Sequence, residues 1–124
     1  MIVLGKILFI ICDPPFQSDK VDKAIKIANA ALEKGHQVSI FLFMDGVYNM
    51  LTTQNGEHFR METAADRLKR LMDKGAVISC CNLCKDLRGI EDHMMVEGII
   101  PQGVSWMNDE MEDTNVVISF SGVS

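Results

Sequence analysis

Three of the four cysteines in this chain of 124 residues fall within five positions, in "ISCCNLCKDLRGI" (Ile78 to Ile90). Thiols crowded in this way can close a disulfide, hold a metal, cycle between redox states or carry a sulfur atom. Cys81 and Cys84 are spaced C-x-x-C, and Cys81, Cys84 and Arg88 follow the i, i+3, i+7 spacing of roughly one helical face. The pattern predicts a strand running into the cysteines and a short helix through Leu87, with Cys81 at the junction. A thiol there faces unpaired backbone N–H groups and the positive end of the helix dipole, so its thiolate is favoured. Lys85 and Arg88 add positive charge nearby. A low-pKa cysteine among backbone donors can attack sulfur and hold an anionic persulfide.

Other chemistries compete with this one. Neighbouring Cys80 and Cys81 would be strained as a disulfide pair, and Cys12 and Cys80, each in an apolar strand, read as small buried hydrophobes. Zinc could take Cys80 or Cys81 with Cys84, His93 and Cys12, but no second C-x-x-C or H-x-x-x-H completes four ligands locally. Thioredoxin-like chemistry has the C-x-x-C, yet here the motif follows two complete βα units rather than an early strand. The nine Met are spread along the chain, so "HMM" (His93 to Met95) reads as packing rather than copper binding.

The elements that must position the cysteines are legible from periodicity. Val3 to Ile11 is a near-continuous apolar run, the mark of a strand buried on both faces, and Pro14-Pro15 ends it. Ser18 is in position to cap a helix carrying Val21, Ala24, Ile25, Ala28, Ala31 and Leu32, which Gly35 closes. "QVSIFLF" (Gln37 to Phe43) is a second strand, followed by a short helix around Val47 to Leu51 and the polar loop "TTQNGEH". A second amphipathic helix carries Met61, Ala64, Ala65, Leu68, Leu71 and Met72, and stops at Gly75. "AVISC" is a third strand, "MMVEGII" holds a fourth, "SWMNDEMED" is a helix capped by Ser105, and "NVVISF" is the last strand.

Alternating strands and helices imply parallel βαβ units in a three-layer α/β/α sandwich, read as a single domain over residues 1–124. In such sheets ligands bind beyond the carboxyl ends of the strands. Cys12-Asp13, Met44-Asp45-Gly46 and Cys80-Cys81 all end strands and so share one edge. Asp13 and Asp45 are candidate carboxylates for the rim of a site there, although aspartates at such turns commonly cap helices or turns. His36 is expected at the surface, while Glu91, Asp92 and Glu97 read as a solvated face.

Composition narrows the function. With 48% hydrophobic and 23% charged residues the chain is globular in character. Its net charge of −5, without a Lys/Arg-rich run, argues against a nucleic-acid surface. The apolar opening carries Lys6 in its middle and runs into Asp13-Pro14-Pro15 without a cleavage site, so it reads as neither a targeting segment nor a membrane span. A cytoplasmic location with free thiols is expected. "CDPPFQSDK" contains no glycine, which leaves no phosphate loop, and no cofactor is expected. Neither Ser105 nor Ser124 lies in a G-x-S-x-G context, so hydrolase chemistry has no support.

The order of these pieces resembles the DsrE/DsrF-like (DsrEFH-like) family of intracellular sulfur-relay proteins. The resemblance runs through "CDPPF", "IFLFMDGVY", "VISCCNLCKDLRGI", "VEGI" and "NVVISF", over essentially the whole chain. Its specific part is Cys81 followed eight residues later by Gly89, with Arg88 and Ile90 flanking. "MDGV" departs from the more usual Gly-Asp order, and Cys80 is an extra neighbour. The resemblance implies a mostly parallel, five-stranded Rossmann-like sheet, assembled into homo-oligomers (trimers or hexamers). It also implies that Cys81 accepts sulfane sulfur as a persulfide from a donor protein and passes it to an acceptor protein. Cys84 would be a secondary thiol, with Lys85, Arg88 and Gly89 supporting the anion. Some members lack the acceptor cysteine and serve as structural subunits. The alternative is therefore a non-catalytic oligomer subunit or interaction module of the same fold.

Overall fold

The computed structural model describes residues 5–121. Five strands, β1 (Lys6–Ile11), β2 (Gln37–Leu42), β3 (Val77–Cys81), β4 (Ile100–Gln102) and β5 (Val116–Phe120), form one sheet in the order β4-β3-β2-β1-β5. Every pairing is parallel, so all five carboxyl ends share one edge. Four α-helices connect them: α1 (Lys20–Glu33), α2 (Ala64–Asp73), α3 (Asn82–Leu87) and α4 (Val104–Glu112). The chain moves outward from β1 to β4 and then returns to the far side of β1. Right-handed crossovers therefore place α1 and α2 on one face and α4 on the other.

Side-chain contacts agree with that division. On one face α1 and α2 lie side by side, joined by Arg67 and Asp22 at 2.8 Å. On the other, α4 stacks Trp106 on Phe41 with centroids 5.6 Å apart, and Glu110 accepts from Ser39 and pairs with Lys6 at 3.0 Å. The central strands are buried on both faces, with Leu8, Phe9, Ile40, Phe41 and Leu42 fully inaccessible. This is why they read as continuous apolar runs rather than alternating ones.

Three helices end in the same way. Gly35, Gly75 and Gly89 each take positive φ, and the two N–H groups at each turn reach back to otherwise orphaned carbonyls. Gly46 serves a different need. It sits against the end of β1, where a Cβ would overlap the Ile11 carbonyl oxygen.

Boundaries differ from the sequence reading at six places, each for a local reason. β1 begins at Lys6; Val3 lies outside the described residues. Asp19 is the first flanking residue of α1, while Ser18 sits one position earlier, accepting the Lys20 N–H at 3.2 Å and donating to Asp13 at 2.6 Å. The short helix after β2 is a 3₁₀ helix, Met44–Met50, starting earlier than periodicity suggests. Met61 lies outside α2, because Thr63 and Asp66 form a reciprocal capping box that starts the helix at Ala64. β4 lies later than "MMVEGII" implies: Met94 closes a 3₁₀ turn, Met95 bridges to Leu51, and Gly98 at φ 102° breaks the extended run. Finally, α4 begins at Val104, with Gly103 rather than Ser105 at its cap; the Trp106 N–H already bonds the Gly103 carbonyl.

Gly46→Ala is expected to destabilise the fold well beyond Gly75→Ala. At Gly75 a Cβ meets nothing and only the positive φ is at stake, about 1 kcal/mol. At Gly46 backbone must move. Urea unfolding of the two variants side by side would show the difference, and equal losses would contradict it.

Candidate functional site

β3 ends at Cys81, which is also the residue that caps α3. Its backbone is extended (φ −70°, ψ 116°), and its Sγ accepts the Cys84 N–H at 3.4 Å. One turn on, the Cys84 Sγ accepts the Met44 N–H at 3.3 Å from the turn after β2. Burial pushes the Cys84 thiol up, the neighbouring Cys81 pushes it further, and the Met44 N–H and Arg88 charge only partly offset this. Cys84 thus holds its proton beside the Cys81 sulfur.

The pleat separates the adjacent cysteines. Ser79 is in register with Phe41, which faces α4, so Ser79 and Cys81 point to that side. Cys80 points to the opposite side, with Ile78, against the α1/α2 core. Burial there pushes its thiol up to about 12, although the Lys85 charge works in the other direction. Cys80 behaves as a buried hydrophobe. All four cysteines are free thiols.

The two cations of α3 have different surroundings. Arg88 lies one helical turn beyond Cys84; its Nη1 donates to the Cys84 carbonyl at 3.1 Å, and its Nε and Nη2 each lie 2.9 Å from Asp45 Oδ1. The pair fastens α3 to the turn after β2. Lys85 is buried along its stem, and its Nζ reaches Asp86 at 2.8 Å, Asp92 at 2.9 Å and the Ile90 carbonyl at 3.2 Å. Its first role is to staple the end of α3 to the following turn, and Asp92 is accordingly an ion-pair partner rather than only part of a solvated face. Gly89, at φ 72°, ends α3 and turns Ile90 into the core. The Arg88-Gly89-Ile90 signature is therefore a helix stop with a latch on it.

Cys12, Asp13 and Asp45 meet at a groove of about 630 Å³, also lined by Pro14, Phe43 and Met44. The groove lies over the ends of β1 and β2 and adjoins the cysteine pair through Met44 and Asp45. Cys12 is half-buried, and its thiol is pushed up by burial and then by the Asp13 charge. Asp13 is itself buried and accepts from Ser18, so it braces the β1–α1 turn.

The zinc set considered from the sequence is not assembled. His93 is exposed and pairs with Glu91 at 3.4 Å, and among the described residues no group of three His, Cys, Asp or Glu converges as a metal site. His58 is exposed beside Phe59. His36 is more enclosed than expected, with a buried Nδ1 that has no hydrogen-bond partner among the described residues.

Two roles at the site escape sequence reasoning. Met44 holds its N–H toward Cys84 from a left-handed backbone (φ 53°), a conformation its residue type does not advertise. Asn49 is fully buried, and its Nδ2 donates to the Asp13 carbonyl at 2.7 Å and the Gly46 carbonyl at 2.9 Å. The signal for Asn49 was a polar amide inside the apolar stretch "GVYNML".

The family model for the DsrE/DsrF-like family matches residues 5–120. The chain belongs to the DsrE/DsrF-like family. Curated relatives include the uncharacterized protein MJ0989 of Methanocaldococcus jannaschii, 31% identical over 93 residues, 75% of this chain and 80% of the relative. Another is the uncharacterized protein MK0008 of Methanopyrus kandleri, 28% identical over 75% of each chain. Among solved structures, the ychN protein from E. coli superposes with a TM-score of 0.86 at 20% identity, covering 94% of this chain and all (100%) of that one. The protein of unknown function MTH1491 from Methanobacterium thermoautotrophicum gives 0.76 at 13% identity, covering 93% and 98%. These likenesses establish the DsrE-like fold: a five-stranded parallel sheet between helices.

Two predictions follow for this DsrE-like site. Removing the latch with Asp45→Asn should speed alkylation of Cys84 by a small maleimide several-fold, read by peptide mass; an unchanged rate would mean that Arg88 and Asp45 do not control access. The second concerns stability. The Cys80 thiol is raised in the folded state, so its contribution is complete below the ordinary value of 9.0 and lost as pH rises toward about 12. Cys80→Val should flatten the decline in stability over that window in urea titrations.

Proposed function

We propose that this chain is a sulfurtransferase-like sulfur carrier that accepts sulfane sulfur as a persulfide on Cys81 and passes it to a partner protein. The family is associated with sulfur relay. The observation that carries the reading is the seat of the Cys81 sulfur, which caps α3 and receives the Cys84 N–H at 3.4 Å in a water-poor position. A persulfide adds one anionic sulfur, and donors that need no rearrangement are what such a charge requires. Arg88 supplies a cationic charge that acts on the neighbouring Cys84 thiol. Donor and acceptor proteins would approach across the groove beside Met44 and Asp45.

A specific observation favours a second reading. Cys81 is only 1% exposed and Cys84 only 6%. A chain whose thiols stay that enclosed would be a non-catalytic subunit or interaction module. Either way, the half-exposed apolar residues of α4 and β5 (Val104, Met111, Val116 and Val117) suit a homo-oligomer of three or six copies. Four free thiols suit a reducing compartment such as the cytoplasm. Among the described residues no helix is long and apolar enough to cross a membrane.

Incubation with a persulfide donor should add the mass of one sulfur to Cys81, and Cys81→Ser should abolish that addition. Labelling that persists in Cys81→Ser would sink the carrier reading. Slow native thiol titration of both Cys81 and Cys84 at neutral pH, with no sulfur gained, would establish the subunit reading instead.

A further inference from the structure

We infer that Cys84 is a resolving thiol: a persulfide formed on Cys81 is reduced within the chain to hydrosulfide, leaving a Cys81–Cys84 disulfide. This rests on Cys81 being the sulfur acceptor and adds a second activity, persulfide reduction, to the same site. The placement of the thiols carries it. Cys84 follows Cys81 by one turn at the start of α3, its backbone N–H reaching Cys81 Sγ at 3.4 Å. Cys80 points to the opposite face of the sheet. Cys12 lies beyond β1, two strands away from β3.

The step balances without an outside reagent. Persulfidated Cys81 carries an outer sulfur bearing the negative charge, beside a protonated Cys84. The Cys84 proton passes to that outer sulfur, and the Cys84 thiolate attacks the inner sulfur, Cys81 Sγ. The bond between Sγ and the outer sulfur breaks, and hydrosulfide leaves with the electron pair. The outer sulfur gains two electrons, one from each cysteine, and the new bond is the Cys81–Cys84 disulfide. Burial, which keeps Cys84 protonated at rest, supplies the proton that the leaving sulfur takes. Hydrosulfide is the conjugate base of a stronger acid than an alkyl thiol, so it is the better leaving group. The Met44 N–H on Cys84 Sγ stabilises the transient thiolate. A dithiol reductant resets the pair, and the product suits a downstream reaction that consumes free sulfide.

The test compares wild type with Cys84→Ser and Cys84→Ala, each given one equivalent of glutathione persulfide without other reductant. Sulfide is followed with a chromogenic probe, and the alkylated peptide spanning residues 75–85 is weighed. Wild type should release sulfide in proportion to the protein and show a disulfide between Cys81 and Cys84. Both variants should lose that release and retain the extra sulfur on Cys81. Wild type holding a stable persulfide beside a free Cys84, or variants releasing sulfide at the wild-type rate, would overturn the inference and leave the carrier reading standing. Variants that never gain sulfur on Cys81, despite native far-UV circular dichroism, would overturn both.

Discussion

The site depends on how the turn after β2 closes onto the end of β1. The Phe43 N–H bonds the Ile11 carbonyl at 2.9 Å, Gly46 packs against that same carbonyl, and the Asn49 amide joins the Asp13 and Gly46 carbonyls. Leaving such buried carbonyls unpaired would cost about 1–3 kcal/mol each, so one side chain fixes two loops. That closure is what keeps Met44 in its left-handed conformation, which costs about 1–3 kcal/mol on its own. It delivers a backbone donor to Cys84 and a carboxylate to Arg88. The loops that hold the thiols and the loops that line the groove are therefore one mechanical unit.

Helix geometry explains why two cations of similar sequence distance do different things. Successive residues of α3 are turned by about 100°, so Lys85 leaves the helix well away from the side on which Cys84 lies. Arg88, four residues beyond Cys84, returns to that side. Lys85 then finds Asp86 and Asp92, and its pKa is raised by them. Counting charges near a cysteine in the sequence treats both as anion supports; the helix sets Arg88 toward Cys84 and ties Lys85 to the loop, from where its charge still reaches Cys80.

The fold was legible because its evidence is periodic. Apolar runs marked the buried strands, and Gly35, Gly75 and Gly89 marked helix ends with a mechanism that needs only positive φ. Boundaries slipped where side-chain chemistry overrode the pattern, as at the capping box of Thr63 and Asp66 and at the Gly98 turn. The position of Cys81 at a strand-to-helix junction, and its spacing from Cys84, were also readable. The partner of Cys84 was not. It is a backbone N–H from forty residues away, and backbone groups leave no trace in residue type. The depth of burial was equally hidden, since it depends on how the 3₁₀ segment after β2 folds over the edge rather than on β3 itself.

Burial and transfer make opposite demands, and the rim of the site suggests how they are reconciled. A sulfane sulfur is lost to any thiol that reaches it, so a carrier benefits from enclosure between encounters. Beside the enclosed pair stand Met44, Leu83 and Leu87, all exposed. Side chains of this kind gain by being covered. A partner that covers them could offset the loss of a partly exposed ion pair, which is worth about 1 kcal/mol or less. The Arg88–Asp45 pair is, on the carrier reading, weak enough to yield to docking. On the carrier reading, the partner's own contact surface is what uncovers Cys81.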